Sequence, residues 1–536
     1  MLFSQRLRGC LAAVAAGILC SLAFAPVGVA YAIFIGVAAL ILVLRSWPVQ
    51  AGSRRYVALV GLLFGTAFMG PMLWWMNAVS PGAYIALTAA EAAFFAPTAL
   101  ALRMVMRLRL WPLWATAVWV GFEFLRSSIP FGGFPWGRLA YTAADTPLGA
   151  YARLLGIPAT SAIVFLVAVL VAMAINKSHK IRTIAAATAV AIFAVGLALP
   201  TGVAGPSGTK RVALIQGSAP VLFALWPRGE ILSLHLAQTA KLAAAVAAGD
   251  ERQPDFVLWP ENSTDIDPYD DRVVSRQIER ASKQVGAPIL VGAILNGPTP
   301  QTAYNAGIVW DEDGPGERYV KRKVVPFGEY VPFRRALGSL VPRFSREIPR
   351  DMLPGTKPGV IDIAGVRLGD TICWDIAHDG VVSESIRSGA EALVVQTSNA
   401  SFTRTSQPEQ QWQISRLRAI ETGRFVLVPS TNGISGIATA KGEPIAEAKT
   451  QTPTTLSADI ELGTGITTGV RWRGWLQKFL VFLAFLGLGL AFRQRPGPKL
   501  ARYQTAQGDD VPREPASRSQ FLCTKSKGVS NNADRR

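Results

Sequence analysis

Val366-Arg367-Leu368-Gly369-Asp370-Thr371-Ile372-Cys373-Trp374-Asp375 is the stretch on which the reading of this chain turns. Residues 367–374 read as a strand, and Cys373 opens a turn at its end. Rigid sheets commonly present reactive side chains at such ends. Moving outward, short β-like runs fall at 211–217, 255–259, 288–294, 304–310, 392–397, 425–430, 434–439 and 455–460. Helical runs at 229–248, 271–285, 380–388 and 407–423 alternate with them. That alternation predicts an α/β domain over 205–470, with two facing sheets covered by helices.

The rest of the chain has another character. Of 536 residues, 50% are hydrophobic and 17% charged, which is too apolar for an ordinary soluble protein. Apolar segments able to cross a bilayer, about 17–25 residues each, lie near 9–26, 29–45, 56–76, 83–103, 110–126, 158–175, 182–199 and 475–492. The first follows Arg6 and Arg8 and begins like a signal peptide, but the spans behind it argue for a retained helix. The net charge of +18 is scattered, so a nucleic-acid partner is not expected. Basic residues recur on alternate connections: Arg6 and Arg8; Arg45, Arg54 and Arg55; Arg107 and Arg109; Lys177, Lys180 and Arg182; Arg493, Arg495 and Lys499. Connections 27–28 and 77–82 carry none. The positive-inside rule then predicts cytoplasmic termini and an extracytoplasmic 205–470 domain. The implied scheme is a helical region at 1–204, the α/β domain, a last helix at 471–492 and a basic, disordered tail at 493–536. The 127–157 connection departs from the charge pattern with Arg138 and Arg153. Arg138 is a candidate for a phospholipid headgroup, against the alternative of a tolerated loop charge. The same loop reads Pro130-Phe131-Gly132-Gly133-Phe134-Pro135-Trp136-Gly137, which suits a tight interfacial structure.

Cys10 and Cys20 lie in the first apolar segment and Cys523 in the tail, so Cys373 has no disulfide partner within 205–470. Glu261 follows the strand-like Phe256-Val257-Leu258-Trp259. Beside Trp259 and Pro260 it is expected to be partly desolvated, which raises a carboxylate pKa and suits a general base. Lys321 ends the run Tyr319-Val320. A lysine next to a thiol favours thiolate and can stabilise an oxyanion, and the Trp374 N–H is a second candidate donor. Read singly, each has an ordinary alternative: a salt-bridging glutamate, a solvated charge run with Arg322 and Lys323, an inert thiol. Together, carboxylate, ammonium and thiol are the parts of an acyl-transfer site. A Cys373–His378 pair is a competing reading, but His378-Asp379-Gly380 looks like a helix start. With three histidines and no CxxC pair, no metal is expected. The 333–350 segment mixes Arg334, Arg335, Arg343, Arg346 and Arg350 with Leu337, Leu340, Val341, Phe344 and Ile348. It reads as an arm meeting the bilayer, or as a solvated loop with core-facing leucines.

These residues resemble the nitrilase superfamily, whose catalytic set is Glu, Lys and Cys in that order; the intervals here are 60 and 52 residues. Seven helices, such a domain and a last helix are similar to the apolipoprotein N-acyltransferase family. So are Trp259-Pro260-Glu261, Val325-Pro326-Phe327-Gly328-Glu329-Tyr330-Val331-Pro332, Gly133-Phe134-Pro135-Trp136, Arg416-Leu417-Arg418-Ala419-Ile420-Glu421 and Ser430-Thr431-Asn432-Gly433. The resemblance implies a multi-span α-helical membrane bundle plus a nitrilase-like αββα sandwich. It implies Glu261 as base, Lys321 as oxyanion-stabilising ammonium, Cys373 as nucleophile and Glu329 as a carboxylate that orients Lys321. Trp374 and Asp375 would support them, and Trp136, Arg138, Asn399 and Asn432 would lie on the substrate side. The implied reaction is ping-pong: a phospholipid acylates Cys373, and the α-amino group of a diacylglyceryl-cysteine lipoprotein takes the acyl chain. No metal or soluble cofactor is implied, and a monomer is expected. Two departures stand out: Cys373-Trp374-Asp375 replaces the family's Cys-Tyr-Glu, and Asn399-Ala400-Ser401-Phe402 replaces an Asn-Asp-Ala-Trp-Phe-like stretch. The competing readings are a membrane-anchored amidase, a specialised paralogue with another acceptor, and a transporter or lipid-binding protein with an inactive domain.

Overall fold

The structure, a computed structural model, describes residues 2–46, 53–175, 178–219, 227–336, 346 and 348–494. The apolar runs fold as helices: α1 (Leu2–Leu22), α2 (Ala32–Arg45), α3 (Arg54–Met72), α4 (Pro81–Ala93), α5 (Phe95–Val105), α6 (Trp111–Arg126), α7 (Ala150–Met173) and α8 (His179–Ala198). Serines start two of them. Ser53 Oγ accepts from Tyr56 N, and Ser80 Oγ accepts from Ala83 N with Pro81 in the first turn. Small residues let the helices close up: a Cβ at Gly17 would lie 2.4 Å from Phe64 O, and one at Gly61 2.2 Å from Phe95 O. Helix α7 breaks at Gly156, whose φ is 77°, and resumes at Pro158, where the apolar segment was expected to begin. The Ile157 N–H freed by the break donates to Glu421 Oε1 at 3.2 Å.

Thirteen strands follow among the described residues. A seven-stranded sheet runs β13-β1-β2-β3-β4-β5, with β6 beside β4, and a six-stranded sheet runs β12-β11-β10-β9-β8-β7. The strands are β1 (Pro206–Gln216), β2 (Phe256–Leu258), β3 (Ile289–Asn296), β4 (Thr302–Asp311), β5 (Gly314–Val320), β6 (Asp351–Met352), β7 (Val360–Ile363), β8 (Val366–Ile372), β9 (Ala392–Gln396), β10 (Val426–Val428), β11 (Gly436–Ala438), β12 (Pro444–Glu447) and β13 (Thr454–Gly463). The two-residue period places the side chains. Val212 and Leu214 of β1 meet Leu368 of β8 and Val394 of β9 between the sheets. Ala213 and Ile215 turn outward to Leu232 of α9 (Glu230–Ala248) and Ile278 of α10 (Arg272–Val285). On the far side α11 (Asp379–Arg387) and α12 (Gln407–Thr422) cover the six-stranded sheet. One apolar core runs from Phe64 and Phe165 in the bundle through Leu417 of α12 to Val395 of β9. The sandwich is αββα, and its α12 layer is shared with the membrane helices. Helix α13 (Thr468–Arg493) closes the chain's described part.

The structure differs from the sequence expectation in local ways. The strand expected at 367–374 stops at Ile372, because Cys373–Ala377 forms a 3-10 turn. Strands β6, β7 and β12 have no counterpart among the expected ones, and of β5 only the short run before Lys321 was expected. Strands β5 and β12 are edge-like and mostly exposed, so they lack the apolar alternation that reveals a strand. Among the described residues, seven helices are long and apolar enough to cross a membrane, and one of these is α9, which packs on the sheet instead. Helices α2 and α6 fall short of the required length at 14 and 16 residues, although they occupy expected apolar segments. Most of the arm expected at 333–350 lies outside the described residues, as do Lys177 and the tail beyond Gln494. Of that arm's arginines, Arg334 pairs with Asp351, and Arg350 donates to Asn296 Oδ1 at 2.8 Å.

Candidate active site

Two paired glycines set the site. Gly292 of β3 lies opposite Gly307 of β4, and together they leave a dip in the sheet face. A Cβ at Gly292 would sit 2.1 Å from Pro260 O and 2.8 Å from Glu261 Cα. The chain leaving β2 therefore rests directly on the sheet, and Glu261 is held by backbone packing. The Glu261 carboxylate is buried and accepts three hydrogen bonds: Asn305 Nδ2 at 2.7 Å and Lys321 Nζ at 3.1 Å on Oε1, and Ser398 N at 3.0 Å on Oε2.

Lys321 follows β5 and is 1% exposed. Its backbone N–H donates to Asn305 O at 2.9 Å and its ammonium donates to Glu329 Oε1 at 2.8 Å. Burial alone would lower the Lys321 pKa, but Glu261 and Glu329 outweigh it and hold the ammonium charged. The other Glu329 oxygen accepts from Val325 N at 2.8 Å, so its loop is folded around its own carboxylate.

Cys373 has φ of 51°, a left-handed conformation that non-glycine residues rarely adopt and that tends to mark functional sites. The bend lifts the thiol off the strand end. Its carbonyl accepts from Gln411 Nε2 at 3.2 Å. The thiol is half-buried beside the Thr397 hydroxyl and within electrostatic reach of Glu261, Lys321 and Glu329. Burial pushes it up to about 12, Glu261 adds to the rise, and Lys321 and Thr397 only partly counter it. Lys321 acts in the expected direction, favouring thiolate, but burial and Glu261 outweigh it, so an attack by sulfur needs a base for its proton.

Asp375 is fully buried and ties the Cys373 turn to the neighbouring strands. It accepts from Tyr319 O–H at 2.7 Å, Lys323 N at 2.8 Å and Ile372 N at 3.4 Å. Two of its three contacts hold backbone, so the shorter side chain serves geometry. Trp374 stacks on Trp136 with ring centres 5.5 Å apart and planes 11° apart, and Phe134 lies 5.1 Å away. The Trp136 and Trp75 N–H groups both donate to Gln410 Oε1, at 2.7 and 3.0 Å. Phe402 packs edge-on to Trp75 at 5.1 Å. An aromatic wall thus joins the membrane loops to the thiol's turn.

The site's carboxylate, ammonium and thiol converge on one end of the inter-sheet space. A family model described as the apolipoprotein N-acyltransferase N-terminal domain matches residues 16–170, and a carbon-nitrogen hydrolase model matches 211–468. An apolipoprotein N-acyltransferase of Mycolicibacterium smegmatis is 36% identical over 529 residues, covering 92% of this chain and 87% of that protein. The chain belongs to the apolipoprotein N-acyltransferase family. A Coxiella burnetii protein of the same description is 30% identical over 486 residues, covering 86% of this chain and 95% of its own. A nitrilase-superfamily amidase from Nesterenkonia is similar at 16% identity and a TM-score of 0.38, covering 51% of this chain and 98% of its own. The chain is therefore an acyltransferase of this family, with a carbon-nitrogen hydrolase domain on a membrane bundle.

The residues expected on the substrate side fall in different places. Trp136 is in the aromatic wall beside the thiol's turn. Arg138 is not available to a headgroup. It is 3% exposed, pairs with Asp379 at 2.9 Å and lies 3.6 Å from Glu123. Asn399 spends its amide on Gln407 Oε1 at 2.6 Å and Gln411 Oε1 at 2.8 Å, and its Oδ1 accepts from Ser430 Oγ at 3.0 Å. Asn432 brackets Ala219, accepting its N–H at 2.9 Å and donating to its carbonyl at 2.8 Å. Both asparagines are buried and satisfied by protein, which leaves them scaffolding contacts. His378 packs on the Trp374 ring at 5.6 Å, and burial lowers its pKa to about 3. Asn305, Tyr319, Thr397, Ser398 and Gln411 escape the sequence reading. Asn305 carries a usable signal, as a polar residue at a sheet-inward position of an apolar strand.

Proposed function

We propose that the chain moves a fatty acyl group from a membrane phospholipid to the α-amino group of a diacylglyceryl-cysteine lipoprotein, through a thioester on Cys373. The observation that carries this reading is Glu261, held by three donors and sharing Lys321 with Glu329 beside a neutral thiol. Glu261 takes the thiol proton as sulfur attacks the ester carbonyl. The Lys321 ammonium and the Trp374 N–H stabilise the oxyanion. The C–O bond breaks, Glu261 returns the proton to the departing alkoxide, and a lysophospholipid leaves. The acceptor's neutral amine then attacks the thioester. Glu261 takes the amine proton and gives it to the sulfur as the C–S bond breaks, which restores the thiol and releases the amide. The aromatic wall of Trp75, Phe134, Trp136, Trp374 and Phe402 offers an apolar surface for the acyl chain. Alternating basic connections support an extracytoplasmic catalytic domain in the cytoplasmic membrane.

The test incubates a synthetic diacylglyceryl-cysteine peptide and phospholipid with the purified protein or with Cys373→Ala. One acyl mass gained on the peptide amine with the native protein, and none with the variant, is the expected result. Phospholipid left intact while a small amide is hydrolysed would overturn the reading in favour of an anchored amidase.

A further inference from the structure

Asp370 of β8 lies three residues before Cys373 and shares its sheet face with Leu368 and Ile372, so it points between the sheets. It is fully buried, and neither carboxyl oxygen has a hydrogen-bond partner among the described residues. Gln396 of β9 is also fully buried, and its Oε1 has none either. Both press on Gly307: a Cβ there would lie 2.1 Å from Asp370 Oδ2 and 2.4 Å from Gln396 Oε1. The two oxygens crowd the same room, the one that a methyl group on Gly307 would fill. Two acceptors held this way repel unless a proton lies between them. Turning the Gln396 amide over does not remove the conflict. Its Nε2 donates to Trp259 O at 2.7 Å, and the reversed amide would set its oxygen against that carbonyl.

We propose that Asp370 is a neutral carboxylic acid that donates its proton to Gln396, which makes it a positioning residue for Glu261. This rests on the role proposed for Glu261 above. Gln396 holds the carbonyl of Trp259, from which the chain runs through Pro260 to Glu261. Beyond Gln396 the same strand continues to Thr397, whose hydroxyl lies at the thiol, and to Ser398, whose N–H holds Glu261 Oε2. One amide thus steadies both sides of the base. Without the Asp370 proton, turning over to donate to Asp370 competes with the Nε2 hold on Trp259 O.

The surroundings favour the neutral acid. The groups acting on Asp370 from the ends of β2 and β8 are the carboxylates Glu261 and Asp375, and Tyr319 of β5 also lies within electrostatic reach. Burial holds the Asp370 carboxyl well above the ordinary carboxylate range, and Asp375 and Glu261 raise it further.

The test uses the full chain in phospholipid nanodiscs. Asp370→Asn keeps a donor for Gln396 and should retain kcat within about threefold, since the hydrogen bond survives. Its activity should also fall in acid at the same pH as in the native protein. Asp370→Leu removes the donor and should lose roughly 10–100-fold in kcat, with the phospholipid KM unchanged. The infrared difference between the native protein and Asp370→Asn at neutral pH should contain the C=O stretch of a protonated carboxyl; this measurement holds even if the leucine variant does not fold. Three results would overturn the proposal. One is absence of that band. Another is an acid limb moved to lower pH in Asp370→Asn, which would mean that a negative charge had been raising the base's pKa. The third is full activity in Asp370→Leu. Activity retained in Glu261→Gln would instead sink the role of Glu261 and leave the infrared band in place.

Discussion

Two buried ion networks flank the Cys373 turn, and they are built on opposite plans. Beyond the turn, Arg138, Arg418 and Arg473 face Asp379, Glu421 and Glu123, three cations against three anions. At the thiol, Lys321 faces both Glu261 and Glu329, one cation against two. The balanced network has no reason to change its protonation. It joins the membrane loop to the turn, because Arg418 also donates to Ile376 O at 2.9 Å and Ala377 O at 3.0 Å. Tyr141 of the same loop reaches Ala377 O at 3.3 Å. The unbalanced network keeps one anion more than its lysine neutralises, and that excess can take up a thiol proton. Burial of charge is shared by both, so burial alone does not identify a reacting group. The charge count, one anion in excess beside a thiol, is what supports the role proposed for Glu261.

The strongest break of this contrast is Cys373→Ala or Glu261→Gln. Each should remove acyl transfer by roughly 10²-fold or more without changing the thermal unfolding midpoint in detergent. A matched loss of stability would mean that these groups serve the fold. Arg138→Met acts on the other network and leaves Asp379 short of a partner; breaking one side of a buried pair costs about 3–5 kcal/mol. Burial would raise the Asp379 carboxyl, but Arg138 and Arg418 hold it below the usual carboxylate range. Its stabilisation is therefore complete above about pH 4 and is lost as pH falls below that. Acid unfolding should begin at higher pH in Arg138→Met; an unshifted curve would contradict the pairing.

Glu329→Gln evens out the charge at the thiol. Burial, then Glu261, raises the Cys373 pKa, and Glu329 adds to the rise. The variant's rate of thiol alkylation should reach its midpoint at lower pH, while kcat falls about tenfold as Lys321 loses an anchor. A midpoint moved to higher pH would break the comparison. The smallest effect is expected from Asn432→Ala, which should cost about 1–3 kcal/mol of stability with the donor KM unchanged. A raised KM at native stability would return Asn432 to the substrate side.

Much of this was legible in the residues. Strands with inward alternation and helices with ordinary caps were found near their positions, because local pattern and burial agree there. The order Glu261, Lys321, Cys373 was legible because each follows a recognisable strand-like run. What failed had non-local causes. Arg138 read as a surface charge because Asp379, its partner, is 241 residues away in the chain. The resemblance put Asn399 and Asn432 on the substrate side, and the buried backbone and amides they satisfy, which come from other segments, show only in the folded chain. The glycine pair 292 and 307 gave no sign of its purpose, since the register that joins them is set only by the folded sheet. Helix α9 has the length and hydropathy of a span, and its packing on a sheet decides its place.

The most direct measurement is the mass of the Cys373-containing peptide after the protein meets phospholipid without acceptor. One acyl group on Cys373, released when the diacylglyceryl-cysteine peptide is added, is the predicted result. Acylated product formed by Cys373→Ala, or turnover with no acyl group ever found on Cys373, would contradict the account.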